Sequence, residues 1–147
     1  MAKKTNNAIE NSINFEEGYK EFNINGDKNR IIRFNPADYS IIERAVQAKK
    51  TILNSVNELK IIEDDDESIA EAMKKANEIV KENINYIFGA DVADIVFGVQ
   101  SPLSEVGGET LVEKFLDAVT PIITNAIEEN KKKKATKVSK YTERYHK

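Results

Sequence analysis

Proton transfer near neutral pH falls to histidine more than to any other side chain. This chain has one, His146, within the charged run Thr142-Glu143-Arg144-Tyr145-His146-Lys147. Nothing around it suggests a pocket or an orienting partner, so it reads as structural. There is no cysteine, which removes a thiolate nucleophile, a cysteine-based zinc site and a disulfide framework together. Five consecutive acids, Glu63-Asp64-Asp65-Asp66-Glu67, supply enough carboxylates for a cation. A calcium loop, however, needs alternating ligands, a central glycine and a distal bidentate glutamate. The run has neither the glycine nor the spacing, and reads as a solvated linker. Val106-Gly107-Gly108-Glu109 is an isolated glycine pair outside any G-x-S-x-G, Walker A or dinucleotide-binding pattern. No catalytic, cofactor-binding or metal-ligating residue is assigned, and the chain is read as no enzyme.

The residues that remain chemically interesting are cationic and aromatic. From Lys131 to Lys147 seven Lys and Arg144 stand against Glu143, a net charge of +7. The other residues hold 14 basic and 24 acidic side chains, −10, so the overall −3 conceals an acidic body with a basic tail. Lys131-Lys132-Lys133-Lys134 could contact phosphates, yet an acidic body repels nucleic acid and no aromatic-lined sheet is evident. Nucleic acid is therefore disfavoured as a partner. Val138, Tyr141 and Tyr145 recur at three and four residues, so a helical tail would carry a small apolar ridge in a basic setting. Tyr and Arg are frequent interface anchors. Lys137, Val138, Lys140, Tyr141, Arg144 and Tyr145 are the candidate partner-binding residues, for an acidic partner surface or the acidic linker of a neighbouring copy.

The elements that must position these residues are mostly helical. At 147 residues, 40% hydrophobic and 32% charged, the chain fits one domain with wide solvated faces. Residues 1–14 are polar and read as disordered, 15–130 as a hairpin-plus-helices domain, and 131–147 as the tail. Tyr19 to Ile24 and Asn29 to Phe34 alternate as strands around Asn25-Gly26-Asp27, a turn rich in positive-φ formers. A lone hairpin is marginal in water, so it must lie on helices or pair with another chain. The hairpin edge, with Phe22, Ile24, Ile32 and Phe34, is the candidate for self-association.

A first helix is expected from Pro36 to near Ile62, capped by Asn35, with Phe34 and Tyr39 as a hydrophobic staple. Its core stripe is Ile42, Ala45, Ile52, Val56 and Leu59, widened by Ile41, Val46 and Leu53. A second helix spans Ser68 to Phe88 with Gly89 as a left-handed cap. A short segment from Asp91, its cap, to Phe97 ends at Gly98. The stretch Gln100 to Gly108 reads as an irregular loop. A last helix begins at Glu109 or Thr110, and Pro121 kinks it or breaks it at Thr120. The fold class is mainly α with a small β part: an N-terminal β-hairpin, three main amphipathic helices, one short helix and a basic tail. No apolar run reaches membrane-span length, and neither a span nor a secretory signal is expected.

Phe22-Asn23-Ile24-Asn25-Gly26 followed by Ile32-Arg33-Phe34-Asn35, then helices, Ile87-Phe88-Gly89 at a helix end, and the tail Lys137-Val138-Ser139-Lys140-Tyr141-Thr142-Glu143-Arg144-Tyr145 resemble the small tail assembly chaperones of long-tailed phages and of prophages in Gram-positive bacteria. The stretch from Tyr19 through Tyr145 also resembles an uncharacterised family of phage proteins of similar size. The resemblance implies a non-enzymatic, oligomeric protein of the host-cell cytoplasm, without cofactors. Its implied partners are the tape-measure and tail tube proteins, and such chaperones often have a second, longer frameshifted form. A structural virion component and a small nucleic-acid-binding or regulatory protein using the basic tail are the alternatives.

Overall fold

Asn25 and Gly26 take φ of 52° and 75°, the paired left-handed geometry of a tight hairpin turn. They join β1 (Lys20–Ile24) to β2 (Asp27–Phe34) in an antiparallel pair. The register jumps from Asn23↔Ile31 to Ile24↔Asp27, leaving Lys28, Asn29 and Arg30 outside the regular pairing as a bulge. The computed structural model of the chain describes residues 10–59 and 65–145, the side chains of Leu59 and 140–145 excepted. It continues with α1 (Tyr39–Leu59), α2 (Asp66–Phe88), α3 (Ala93–Phe97), a small hairpin of β3 (Glu105–Val106) and β4 (Glu109–Thr110), and α4 (Leu111–Tyr145). The architecture is the mainly helical one expected, with the N-terminal hairpin laid on the helices. His146 and the acids Glu63 and Asp64 lie outside the described residues, as do residues 1–9 of the segment expected to be disordered.

Helix boundaries depart from the sequence reading in three places, each for a definable reason. Asn35 does not cap α1. Its carboxamide accepts from Ala37 N–H at 2.9 Å, building a turn around Pro36, and Asp38 caps instead by accepting from Ser40 N–H at 2.9 Å. Tyr39, meant for the staple, is exposed while Phe34 is buried. In α2 the cap is Asp65, accepting from Ser68 N–H at 2.8 Å, so Asp66 and Glu67 belong to the first turn, where carboxylates favour the positive helix end. Asp91 does not cap α3. The carboxamide of Asn85 accepts from Val92 and Ala93 N–H at 2.7 and 2.8 Å.

Gly89 provides the left-handed cap expected of it, at φ 65°. The stretch read as an irregular loop contains β3, and β4 takes Glu109 and Thr110, where the last helix was expected to begin; Gly107 and Gly108 turn the chain between them at φ 64° and 85°. Carbonyls of that stretch serve α4, since Leu111 N–H donates to Ser104 and Val112 N–H to Pro102, both at 2.9 Å. Thr110 caps that end, its hydroxyl accepting from Glu113 N–H at 3.2 Å and donating to the Glu113 carboxylate at 2.9 Å. Pro121 does not break α4, which runs unbroken through it.

Five phenylalanines link these layers. Phe22 stacks on Phe34 (4.9 Å between centroids), Phe34 meets Phe88 (5.0 Å), Phe88 meets Phe115 (5.9 Å), and Phe115 meets Phe97 (6.0 Å). Each such pair adds about 0.5–1.5 kcal/mol to what burial alone supplies. Around them are buried Ile41, Ala48 and Ile52 of α1, Val80, Ile84 and Ile87 of α2, and Val112 and Val119 of α4. The α1 stripe is thus displaced from the expected one. Ile42, Val46 and Leu53 face out, because α1 packs on α2 and one neighbouring helix covers a narrow sector of its circumference.

Candidate protein-binding groove

Arginine 30 sits in the β2 bulge and is turned inward. Its Nε donates to the Ile95 carbonyl at 2.9 Å, and a second guanidinium nitrogen donates to the Val96 carbonyl. A helix end leaves its last carbonyls without partners and carries partial negative charge. A guanidinium from another element satisfies both demands here, binding the hairpin to α3. Arg44 does the same for α2, donating from Nε to the Ile87 carbonyl at 3.0 Å while facing Asp38 at 4.0 Å.

Fixing the hairpin at α3 leaves a groove of about 590 Å3 between β1–β2, the end of α3 and the first half of α4. One wall is Phe22, Ile24, Ile32 and Phe34. Opposite stand Leu111, Phe115, Val119 and Ile122 of α4, and Phe97 to Gln100 close one end. The charged side chains of the lining are Arg30 and Lys114, both cationic. Val99 is fully solvent-exposed and Ile122 partly so, so apolar surface continues from the groove onto its rim. A site of this kind can hold an apolar side-chain cluster and favour negative charge beside it.

The four hairpin residues assigned to self-association all line this groove. Ile32 and Phe34 are also core residues, at 3% and 2% exposure, while Phe22 and Ile24 are half-buried. Strand geometry explains the placement: alternate residues of one face turn together toward the helices, leaving Ile31 and Arg33 outside. There Arg33 lies over the Tyr19 ring at 4.3 Å.

The tail residues are elsewhere. α4 extends through Tyr145, about 50 Å of helix, and residues 128–139 are exposed. Lys137 and Val138 stand on this solvated stretch. For Lys140, Tyr141, Arg144 and Tyr145 the backbone is helical, which gives Val138, Tyr141 and Tyr145 the three- and four-residue register of one face. The tail residues and the groove share α4 and no other element. The α4 residues of the groove were legible as a helix stripe. The groove itself was not, because the meeting of Phe97 with Phe115 depends on the path between α3 and α4.

Asp65 has its carboxyl held below the usual carboxylate range, chiefly by the backbone N–H of Ser68, then by the Ser68 hydroxyl, with Glu67 N–H contributing less against a small desolvation effect. Among the described residues, no group of three or more acids or histidines is arranged to hold a metal ion, and no helix is long and apolar enough to cross a membrane. Comparison with family models, curated proteins and solved structures returned no match.

Proposed function

We propose that this protein is a phage tail assembly chaperone that binds the tape-measure protein and promotes tail tube assembly by protein–protein contact. The observation that carries the binding role is the apolar groove with cationic side chains and an apolar rim. The occupant it suits is an amphipathic helix whose apolar face enters the groove while flanking carboxylates meet Lys114 and the lysines further along α4. Long helical tape-measure proteins are rich in such faces, and covering them would keep them from aggregating. The assignment to tail assembly rests on the resemblance of the hairpin, the helix-end Phe-Gly and the basic tail; transfer of function from such likeness is analogy. A host-cytoplasmic site of action follows from the same reading.

The test is co-expression with the tape-measure protein of a long-tailed phage. The full chain should keep that protein soluble and copurify with it. Ala118→Glu with Ile122→Glu places carboxylates on exposed groove positions and should abolish both effects while leaving the helical circular dichroism unchanged. Equal solubility with and without the chain removes the proposal. Retention in finished tails would instead mark a structural component of the virion.

A further inference from the structure

Helix α1 has a second apolar stripe that the described residues leave uncovered. Tyr39, Ile42, Val46 and Leu53 are 67%, 41%, 57% and 53% exposed. With Lys49, which is exposed, and half-buried Val56, they are spaced three, four, three, four and three residues apart. That is the a/d seam of a left-handed helix pair. On a helical wheel it lies about 110° round from the buried stripe of Ile41, Ala48 and Ile52. The groove residues come from the hairpin, α4, the end of α3 and the three residues after it, so this surface is separate from the proposed partner site and does not depend on that reading.

We propose that the seam binds the α1 helix of a second copy, antiparallel and two-fold symmetric. The charges decide both the occupant and the direction. In a parallel pair, Lys49 would meet Lys49 of the other copy inside the seam, and Asp38 would flank its Glu43; both contacts are repulsive. In the antiparallel pair, Ile42 meets Leu53 of the second copy, Tyr39 meets Val56, and Val46 meets Lys49. The Lys49 stem covers apolar surface while its ammonium reaches water. Glu43 and Lys50, both exposed and both on the outer edge of the seam, then face each other across the axis twice over. On the inner edge, Ala45 approaches Ile52 of the second copy and extends the existing core. One helix thus carries both halves of a self-complementary surface, as a two-fold interface requires.

Light scattering and sedimentation of the full chain over a concentration series test this. The wild-type chain should show a reversible monomer–dimer equilibrium, and Val46→Lys should weaken it on the order of a hundredfold. Glu43→Lys and Lys50→Glu alone each replace two attractions by two repulsions and should weaken it about tenfold. An equimolar mixture of those two variants should recover wild-type association, because every cross-axis contact is attractive again. Circular dichroism should stay unchanged throughout, since all three positions are exposed. A wild-type chain that stays monomeric at its highest soluble concentration overturns the proposal, as does a dimer indifferent to Val46→Lys. Failure of the mixture to recover association overturns the antiparallel arrangement.

Discussion

Side chains that cross from one element to cap another hold this fold at its joints. Asn85 is the clearest case. Its carbonyl accepts from Ala90 N–H at 3.2 Å and also from the Gly89 cap, while its carboxamide oxygen holds the first amides of α3. Asn85→Ala leaves those part-buried donors unpaired, and should cost about 1–3 kcal/mol in urea unfolding. Asp38 and Asn85 also mark where local sequence reading stops. Asn35-Pro36 is a good helix start in isolation, and only the turn built by Asn35 itself, tied back to the Glu17 carbonyl at 3.3 Å, passes the role to Asp38. For α3 the acceptor lies seven and eight residues upstream, beyond any capping pattern. Asp65 yields a pH prediction. Its folded pKa is lowered, so its contribution to stability is present above the ordinary carboxylate range and disappears as pH falls through the lowered value. Asp65→Asn keeps an acceptor without the charge. The gap in unfolding midpoint between the two proteins should therefore be widest near neutrality and close in acid.

At the scale of elements, signals carried by a single residue type survived into the structure, and signals that depend on neighbours did not. Asn25-Gly26 and Gly89 are residues that accept positive φ at little cost, and all three adopt it. The glycine pair 107–108 does the same, but the flanking strands of two residues each are too short to alternate visibly. The stripe of α1 was misplaced because an apolar face does not say which neighbour covers it. The break at Thr120 offered as an alternative to a kink at Pro121 does not occur: α4 passes through the proline, with Thr120 donating its hydroxyl to the Leu116 carbonyl at 2.7 Å. The proline still lacks the N–H that would reach the carbonyl four residues back. Pro121 is exposed, so Pro121→Ala restores that bond without disturbing the core and should stabilise α4 by about 1–3 kcal/mol. Higher far-UV helical signal at elevated temperature would register it.

Over the whole molecule, an acidic body of −10 and a tail of +7 are joined by one helix that is packed at its first half and exposed from 128 to 139. Folding and the tail's share of partner capture should therefore separate at Lys131. The residues that pack α4 against the body end before the lysine run, with Ile123 the last assigned to the core cluster, so removing 131–147 should leave the thermal midpoint within a degree or two of the full chain, roughly a few tenths of a kcal/mol. The same deletion removes the tail cations proposed to meet an acidic partner and leaves Lys114 of the groove in place. Pull-down of the tape-measure protein by the truncated chain should fail, whereas the groove variants lose capture with the tail intact. Salt distinguishes the two contributions. The screening length shrinks from about 10 Å at 0.1 M to about 3 Å at 1 M, so tail-dependent capture should weaken steeply across that range. Contact inside the apolar groove should persist, since burial of apolar surface is not screened. If the truncated chain binds as tightly as the full one at low salt, the tail lysines are a solvated helix end and the groove alone recognises the partner.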